Sequence, residues 1–168
     1  GTASEYFAVE ESKVTALPDE MDYNDGAMIE PLAVTVHAAK HYEHLEGANV
    51  AVLGCGPIGI LLAQTCKALG AAKVMITDVS DYRLDLAKKC GVDYAINTKN
   101  VDFGDAMVEH FGPDKADVIY DCAGNNITIG QAIKYARKGS KLVLVAVFAG
   151  MATVDLFTLN DHELDLDS

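Results

Sequence analysis

The sequence is short of positive charge. Thirteen lysines and arginines stand against 25 aspartates and glutamates in 168 residues, a formal charge of −12, and no basic cluster is present to meet a phosphate backbone. Nucleic acid is therefore not an expected partner. Long apolar runs are missing as well: stretches such as "LVLVAVFAGMA" fall short of the roughly 20 residues that cross a bilayer, so no membrane association is expected. The chain opens without a basic n-region leading into an apolar stretch, and a cytoplasmic protein is expected. Cys55, Cys66, Cys90 and Cys122 form no CxxC pair, which argues against structural zinc or a disulfide framework and for reduced, mostly buried thiols. Low-complexity tracts and internal repeats are absent.

What the chain does have is a hydrophobic half, 50% of its residues, enough for one domain that buries roughly two thirds of its unfolded surface. Short β-rich runs alternate with helical ones. Strands are predicted at about 49–54, 73–78, 93–97, 117–121 and 141–147 and helices at about 57–69, 81–90, 101–111 and 126–137. That alternation implies a parallel sheet. The runs "NVAVLG", "DVIYDC" and "KLVLVAV" are apolar without strict alternation, as strands become when helices cover both faces. The expected fold class is thus α/β, a doubly wound parallel (Rossmann) sheet of about six strands, with "ELDLDS" as a short sixth. Upstream, "ASEYFAVEESKVTALPDE" shows strand-like alternation around Tyr6, Phe7 and Val9, lacks a partner strand, and ends in a Pro-Asp turn signal. A helix is predicted from an N-cap at Asn24 or Asp25 to about Leu45. It would carry Met28, Ile29, Leu32, Val36 and Ala39 on one face and Pro31 near its first turn.

The segment "VAVLGCGPIGILLAQ" sets Gly54, Gly56 and Gly59 as GxGxxG between a predicted strand and a predicted helix that opens at Pro57 and Ile58. Gly54 permits the tight turn, Gly56 lets backbone approach a pyrophosphate, and Gly59 lets helix and strand pack closely. The helix N-terminus then faces the anion with free N–H groups. Packing alone is the alternative role of such glycines. Asp78 weighs against that alternative: it closes "KVMITD", about twenty residues beyond Gly59, where a carboxylate accepts from the adenosine ribose hydroxyls. A helix cap is its other possible role, and Ser80 is available for that. The same carboxylate would repel the phosphate of NADP, so NAD is the expected cofactor.

"GTASEYFAVEESKVTALPDEMDYNDGAMIEPLAVTVHAAK", followed by "VAVLGCGPIGILLAQ", "ITDVSDYRLDLAKKCG" and "KLVLVAVFAG", resembles the medium-chain zinc-dependent alcohol dehydrogenases, above all the sorbitol and related sugar-alcohol dehydrogenases. The resemblance covers nearly the whole chain. It implies oxidation of a secondary alcohol to a ketone by hydride transfer to NAD, with zinc polarising the alcohol oxygen. It also implies that Ile58, Asp78 and Arg83 contact adenosine and pyrophosphate, that Val145, Ala146 and Val147 form a backbone segment near the nicotinamide, and that Glu30 in "EPLAV" lies at the catalytic zinc, directly or through a water. From the residues alone, Glu30 reads as a first-turn glutamate favoured by the helix dipole and Arg83 as a solvated helix residue.

The family's other zinc ligands, a Cys and a His-Glu pair from an N-terminal domain, have no counterpart here. The chain is therefore expected to be a cofactor domain (24–168 with its leading helix) preceded by a remnant of the catalytic domain and linker (1–23), inactive alone, with zinc bound in the full-length enzyme and the alcohol met only there. A free-standing dinucleotide sensor is the reading from another class; the "EPLAV" helix and the unpaired strand favour the enzyme.

Three further features carry weaker readings. His37, His41 and His44 recur at i, i+4 and i+7, a spacing open to a transition metal, though a solvated histidine face is preferred. Cys55 sits at a helix N-terminus, which lowers thiol pKa, but receives no chemistry. Asp121 and Cys122 in "DCAGN" close a strand, placing that turn along the cofactor groove. Finally "ATVDLF", beyond Gly150, is expected as a β-prone segment at an exposed edge, and the resemblance implies that it joins two copies in a homodimer with Val154 facing its two-fold mate.

Overall fold

In the computed structural model, which describes residues 4–168, helix α1 (Tyr23–Lys40) precedes six parallel strands. These are β1 (Asn49–Leu53), β2 (Lys73–Asp78), β3 (Tyr94–Asn97), β4 (Val118–Asp121), β5 (Lys141–Leu144) and β6 (Asp165–Asp167). They lie side by side in the order β3-β2-β1-β4-β5-β6, every neighbouring pair parallel. The crossovers carry α2 (Pro57–Ala68), α3 (Asp81–Lys89), α4 (Phe103–Phe111), α5 (Asn126–Tyr135) and α6 (Leu156–Asp161). This is the expected doubly wound α/β sheet, and "ELDLDS" does supply its sixth strand. No helix among the described residues is long and apolar enough to cross a membrane.

The sheet is buried on both sides because its strands feed two cores. Along β1, Val50 and Val52 join Leu62, Cys66, Ile76 and Tyr120 on one face. Ala51 and Leu53 join Met75, Phe103, Met107 and Ile119 on the other. That is the period-2 alternation of a strand whose two faces are both apolar. Each fully buried Val, Leu, Ile or Phe contributes about 1.5–3 kcal/mol. Side-chain caps set where helices begin. The Asp102 carboxylate accepts from the Gly104 and Asp105 amides, which starts α4 at Phe103 rather than at 101. Asn125 and Thr128 form a reciprocal capping box at the start of α5.

The chain divides into two compact units, the first ending at Glu30 and the second running Pro31–Ser168. In the first, the expected strand around Tyr6, Phe7 and Val9 is not formed; only a single 3-10 turn, Glu11–Lys13, precedes α1. The cap of α1 is Asp22, whose carboxylate accepts the Asp25 amide at 2.8 Å, not Asn24 or Asp25. This bond holds the Asp22 carboxyl below its usual range. The helix stops at Lys40, short of Leu45. Because the helix already begins at Tyr23, Pro31 lies in its interior, where a missing N–H and the ring's crowding of the preceding turn cost about 3 kcal/mol. The units part at that residue.

The buried face of α1 is only partly the expected stripe. Met28, Ile29 and Leu32 are exposed and Val36 is half-buried, while Ala39 is buried as expected, together with Thr35 and Ala38. Small residues let the helix approach closely, so that the Thr35 and Thr65 hydroxyls meet at 2.9 Å and Tyr120 donates its O–H to the Ala39 carbonyl at 3.2 Å. Burial raises the pKa of that phenol strongly.

A last correction concerns "ATVDLF". It forms no strand; the Asp155 carboxylate accepts from the Phe157 and Thr158 amides and starts α6 at Leu156. The local cap outcompetes β propensity. The sheet edge beside β5 is taken by β6 instead, and Val154 packs half-buried against the second core.

Candidate functional site

Strand order reverses between β1 and β4, and the crevice at the carboxyl ends of such strands is where doubly wound sheets bind ligands. A cleft of about 510 Å³ opens there. Gly54, Asp78, Val79 and Thr98 line one side; Ala123, Ile127 and Gln131 line the other.

Each glycine of the β1–α2 turn has a separate structural reason. Gly54 holds φ +101°, and a Cβ on it would crowd the Ala123 amide nitrogen at 3.0 Å. At Gly59 a Cβ would overlap the carbonyl oxygen of Gly54, so only glycine lets α2 settle against the turn. Gly56 is the exception. Its backbone is extended, and a Cβ there would meet nothing within 4 Å. The protein gains no packing from glycine at 56, which leaves open space beside the helix N-terminus. No side chain caps α2, and Pro57 occupies its first turn, so first-turn N–H groups of Ile58 and Gly59 face that space.

Asp78 ties this turn to β2. One carboxylate oxygen accepts the Cys55 amide at 2.9 Å and the other accepts the Val79 and Ser80 amides at 2.8 and 2.9 Å. Ser80, the N-cap residue of α3, makes no side-chain cap bond; Asp78 instead fixes the two residues that lead into that helix. A carboxylate offers about four lone-pair sites; three are filled by amides, and Asp78 lines the cleft. Arg83 stands 3.6 Å from the same group, its side chain 57% exposed. Cys55 is a packed thiol. Its Sγ donates to the Arg83 carbonyl at 3.1 Å, and burial, with the Asp78 charge second, pushes its pKa up to about 11. The helix N-terminus loses to desolvation there. Burial likewise raises Cys66 and Cys122 to about 12, and all four cysteines are free.

Val145, Ala146 and Val147 follow β5. The Val145 and Ala146 amides donate to the Asp121 carbonyl at 2.9 Å, and Val147 is 96% exposed. They border the β4–α5 turn at Gly124, outside the lining of the cleft. Glu30 lies in the first unit, at its last residue.

Sequence reading underrated the organiser of the opposite wall. Asp121 is 2% exposed; its carboxylate accepts the Ala123 and Gly124 amides and the Thr128 hydroxyl at 2.9–3.0 Å. Thr128 thereby links β4 to the capping box of α5. The N-x-x-T spacing at Asn125 was its signal in the sequence. Among the described residues no group of three or more His, Cys, Asp and Glu is placed to hold a metal ion.

A profile of the family described as zinc-binding dehydrogenase matches residues 57–167. Sorbitol dehydrogenase of Gallus gallus is 35% identical over 168 residues, 99% of this chain and 47% of that protein. An alcohol dehydrogenase of Escherichia coli CFT073, solved with NADH, superposes with a TM-score of 0.86 at 26% identity, covering 95% of this chain and 48% of that one. A structure assigned as a zinc-binding dehydrogenase of Sinorhizobium meliloti 1021, bound to NADP, gives 0.82 at 27% identity, covering 89% and 45%. The chain spans about half the length of the curated relatives it matches.

Proposed function

Because this chain belongs to the zinc-binding dehydrogenase family, we propose that it is the NAD-binding domain of a longer enzyme that oxidises a secondary alcohol or polyol to a ketone. One observation carries the reading: the strand–turn–helix with open space at Gly56 is locked to the Asp78 carboxylate, and Gly54 and Asp78 line one cleft.

Beside that cleft, which Gly54 lines but the α2 residues do not, the α2 N-terminus, with Gly54, Gly56, Pro57, Ile58 and Gly59, would hold the pyrophosphate. The free lone pair of Asp78 would accept from an adenosine ribose hydroxyl, with Arg83 beside it. Val145, Ala146 and Val147 would border the nicotinamide end. The cofactor, when bound, accepts the hydride; these residues bind and orient it. NAD is favoured over NADP because a carboxylate with three amide donors stays where a 2′-phosphate would come.

Residues 24–168 form the cofactor domain on this reading, and residues 1–23 belong with the catalytic domain. Zinc belongs to the longer protein, where Glu30 would be one donor. Among the described residues no group of three or more such ligands gathers. Purified as it stands, the chain is expected to bind NAD by titration calorimetry yet to form no NADH from sorbitol and NAD, with or without zinc. Turnover by the chain alone would overturn the division of labour. A free-standing sensor would show its full affinity in this chain, with no gain when the rest of the reading frame is restored.

The same reading includes a homodimer through the segment around Val154. Charge of −12 per chain opposes association at low salt, so light scattering belongs at moderate salt. A mass of about twice the chain's 17.9 kDa is expected, and Val154→Lys should return it to one chain. A monomer across the micromolar range would remove the dimer.

A further inference from the structure

Of the histidines at the end of α1, His37 and His44 are exposed as their spacing suggests, while His41 is half-buried. His37 lies in the last turn of the helix and His41 just beyond it, and their Nε2 atoms converge to 3.4 Å, with the rings at 87°. His41 is fixed from its other side: Nδ1 stands 2.8 Å from Oδ2 of Asp167, and Lys141 holds the same carboxylate oxygen at 3.0 Å. His44 takes no part; it stands against Tyr42 instead.

We propose that His37 and His41 form a bidentate site for a divalent transition metal, with Asp167 as the carboxylate behind His41. Two observations carry this independently. The first is the bite. Imidazole nitrogens bind zinc at about 2.0–2.1 Å, so two of them on a tetrahedral ion stand roughly 3.3–3.4 Å apart, the separation found here. The same distance is long for a hydrogen bond, where donor and acceptor settle at about 2.7–3.2 Å. The second is the tautomer. A carboxylate at Nδ1 keeps the proton there and leaves the Nε2 lone pair of His41 outward, the arrangement that metal-bound histidines share.

Binding would leave both rings neutral, the remaining proton of His37 sitting on its Nδ1 so that both Nε2 lone pairs face the ion. No third protein donor joins the pair among the described residues, so solvent would complete the coordination, and binding would be reversible exchange rather than a structural clamp. None of these residues lines the cofactor cleft. Imidazole selects copper, nickel and zinc over magnesium and calcium, and the acidic chain as a whole favours a cation.

The test is calorimetric titration of the untagged chain with Ni²⁺ and with Zn²⁺, Mg²⁺ serving as the control. One Ni²⁺ per chain is expected, with no heat from Mg²⁺. His37→Ala and His41→Ala should each weaken Ni²⁺ by more than the roughly tenfold expected of Asp167→Asn, whose carboxylate acts from behind, and His44→Ala should change nothing. Because His37 is exposed, its substitution leaves the fold intact. A thermal melt gives a second reading, since a ligand that binds only the native state raises the midpoint; that rise should vanish in His37→Ala. Absence of stoichiometric Ni²⁺ binding, an unchanged affinity in His37→Ala, or equal losses in His44→Ala would overturn the site.

Discussion

Gly59→Ala is expected to lower the melting temperature by about 10 °C, while Gly56→Ala, three residues away in the same turn, leaves it unchanged. A Cβ at 59 would overlap the carbonyl oxygen of Gly54. That atom belongs to backbone, and its residue is itself pinned by φ +101° and by its own amide's bond to the Thr77 carbonyl at 2.9 Å. The overlap is relieved only by sliding α2 off β1, which opens the core around Leu62 and Val52, both fully buried. Overpacking of this kind costs typically 1–3 kcal/mol, occasionally more. Because the clash is with fixed backbone, the cost lies at or above the top of that range, about 3–4 kcal/mol; alanine recovers about 1 kcal/mol of helix propensity, so the net loss sits near 2–3 kcal/mol. In a domain of 150–250 residues each kcal/mol moves the midpoint by roughly 2–4 °C. At Gly56 the added methyl meets nothing within 4 Å and the backbone is already extended. The methyl instead fills the space before the α2 N-terminus. Gly56→Ala should therefore keep its melt and lose NAD affinity by an order of magnitude or more, about 1.4 kcal/mol or above. Scanning fluorimetry and NAD titration on both variants check the pair; a melt of Gly59→Ala within about 2 °C of the parent would show that the turn has slack.

The strands and the glycine turn were legible in the sequence for one reason each. Strands buried on both faces have no polar side to show, so "NVAVLG" and "KLVLVAV" read as continuous apolar runs. The turn needs φ > 0 at Gly54 and bare backbone at Gly59, and both needs leave glycine. What escaped was decided by competition between neighbours. "ATVDLF" carries β propensity, but Asp155 caps the next two amides and turns it into a helix. The large residues of α1 looked like its core face, yet Ala38, Ala39 and Thr35 pack more closely. Cys55 has a helix N-terminus to lower its pKa and burial to raise it, and burial prevails. The bond from His41 to Asp167 spans 126 positions, beyond the reach of any local pattern.

Asp78→Ala is expected to reverse most of the cofactor preference. In the native chain the carboxylate has three amide bonds, to Cys55, Val79 and Ser80, and on the proposed reading its fourth lone pair accepts from a ribose hydroxyl. Hydrogen bonds to a charged group are worth about 1.5–3 kcal/mol, so removing the acceptor should weaken NAD by roughly 10- to 100-fold. For NADP the sign is opposite. Its 2′-phosphate meets like charge at Asp78, a juxtaposition that costs several kcal/mol, and alanine removes that penalty while Arg83, 57% exposed and 3.6 Å away, is freed to face the phosphate. The NAD-to-NADP affinity ratio should fall by at least about 100-fold. Alanine also strands three amides, so Asp78→Asn is the matched variant: it keeps an acceptor oxygen for the turn and discards the charge. If the preference comes from charge, Asn should shift the ratio most of the way while the melt falls less than in Asp78→Ala, since its one acceptor oxygen can keep the Val79 and Ser80 bonds and only the Cys55 bond is lost. Calorimetric titration of both cofactors into both variants decides it. A ratio unchanged in Asp78→Asn would assign the carboxylate to holding the β1–α2 turn alone, and cofactor choice would then have to lie elsewhere along the cleft, at Val79 or Thr98.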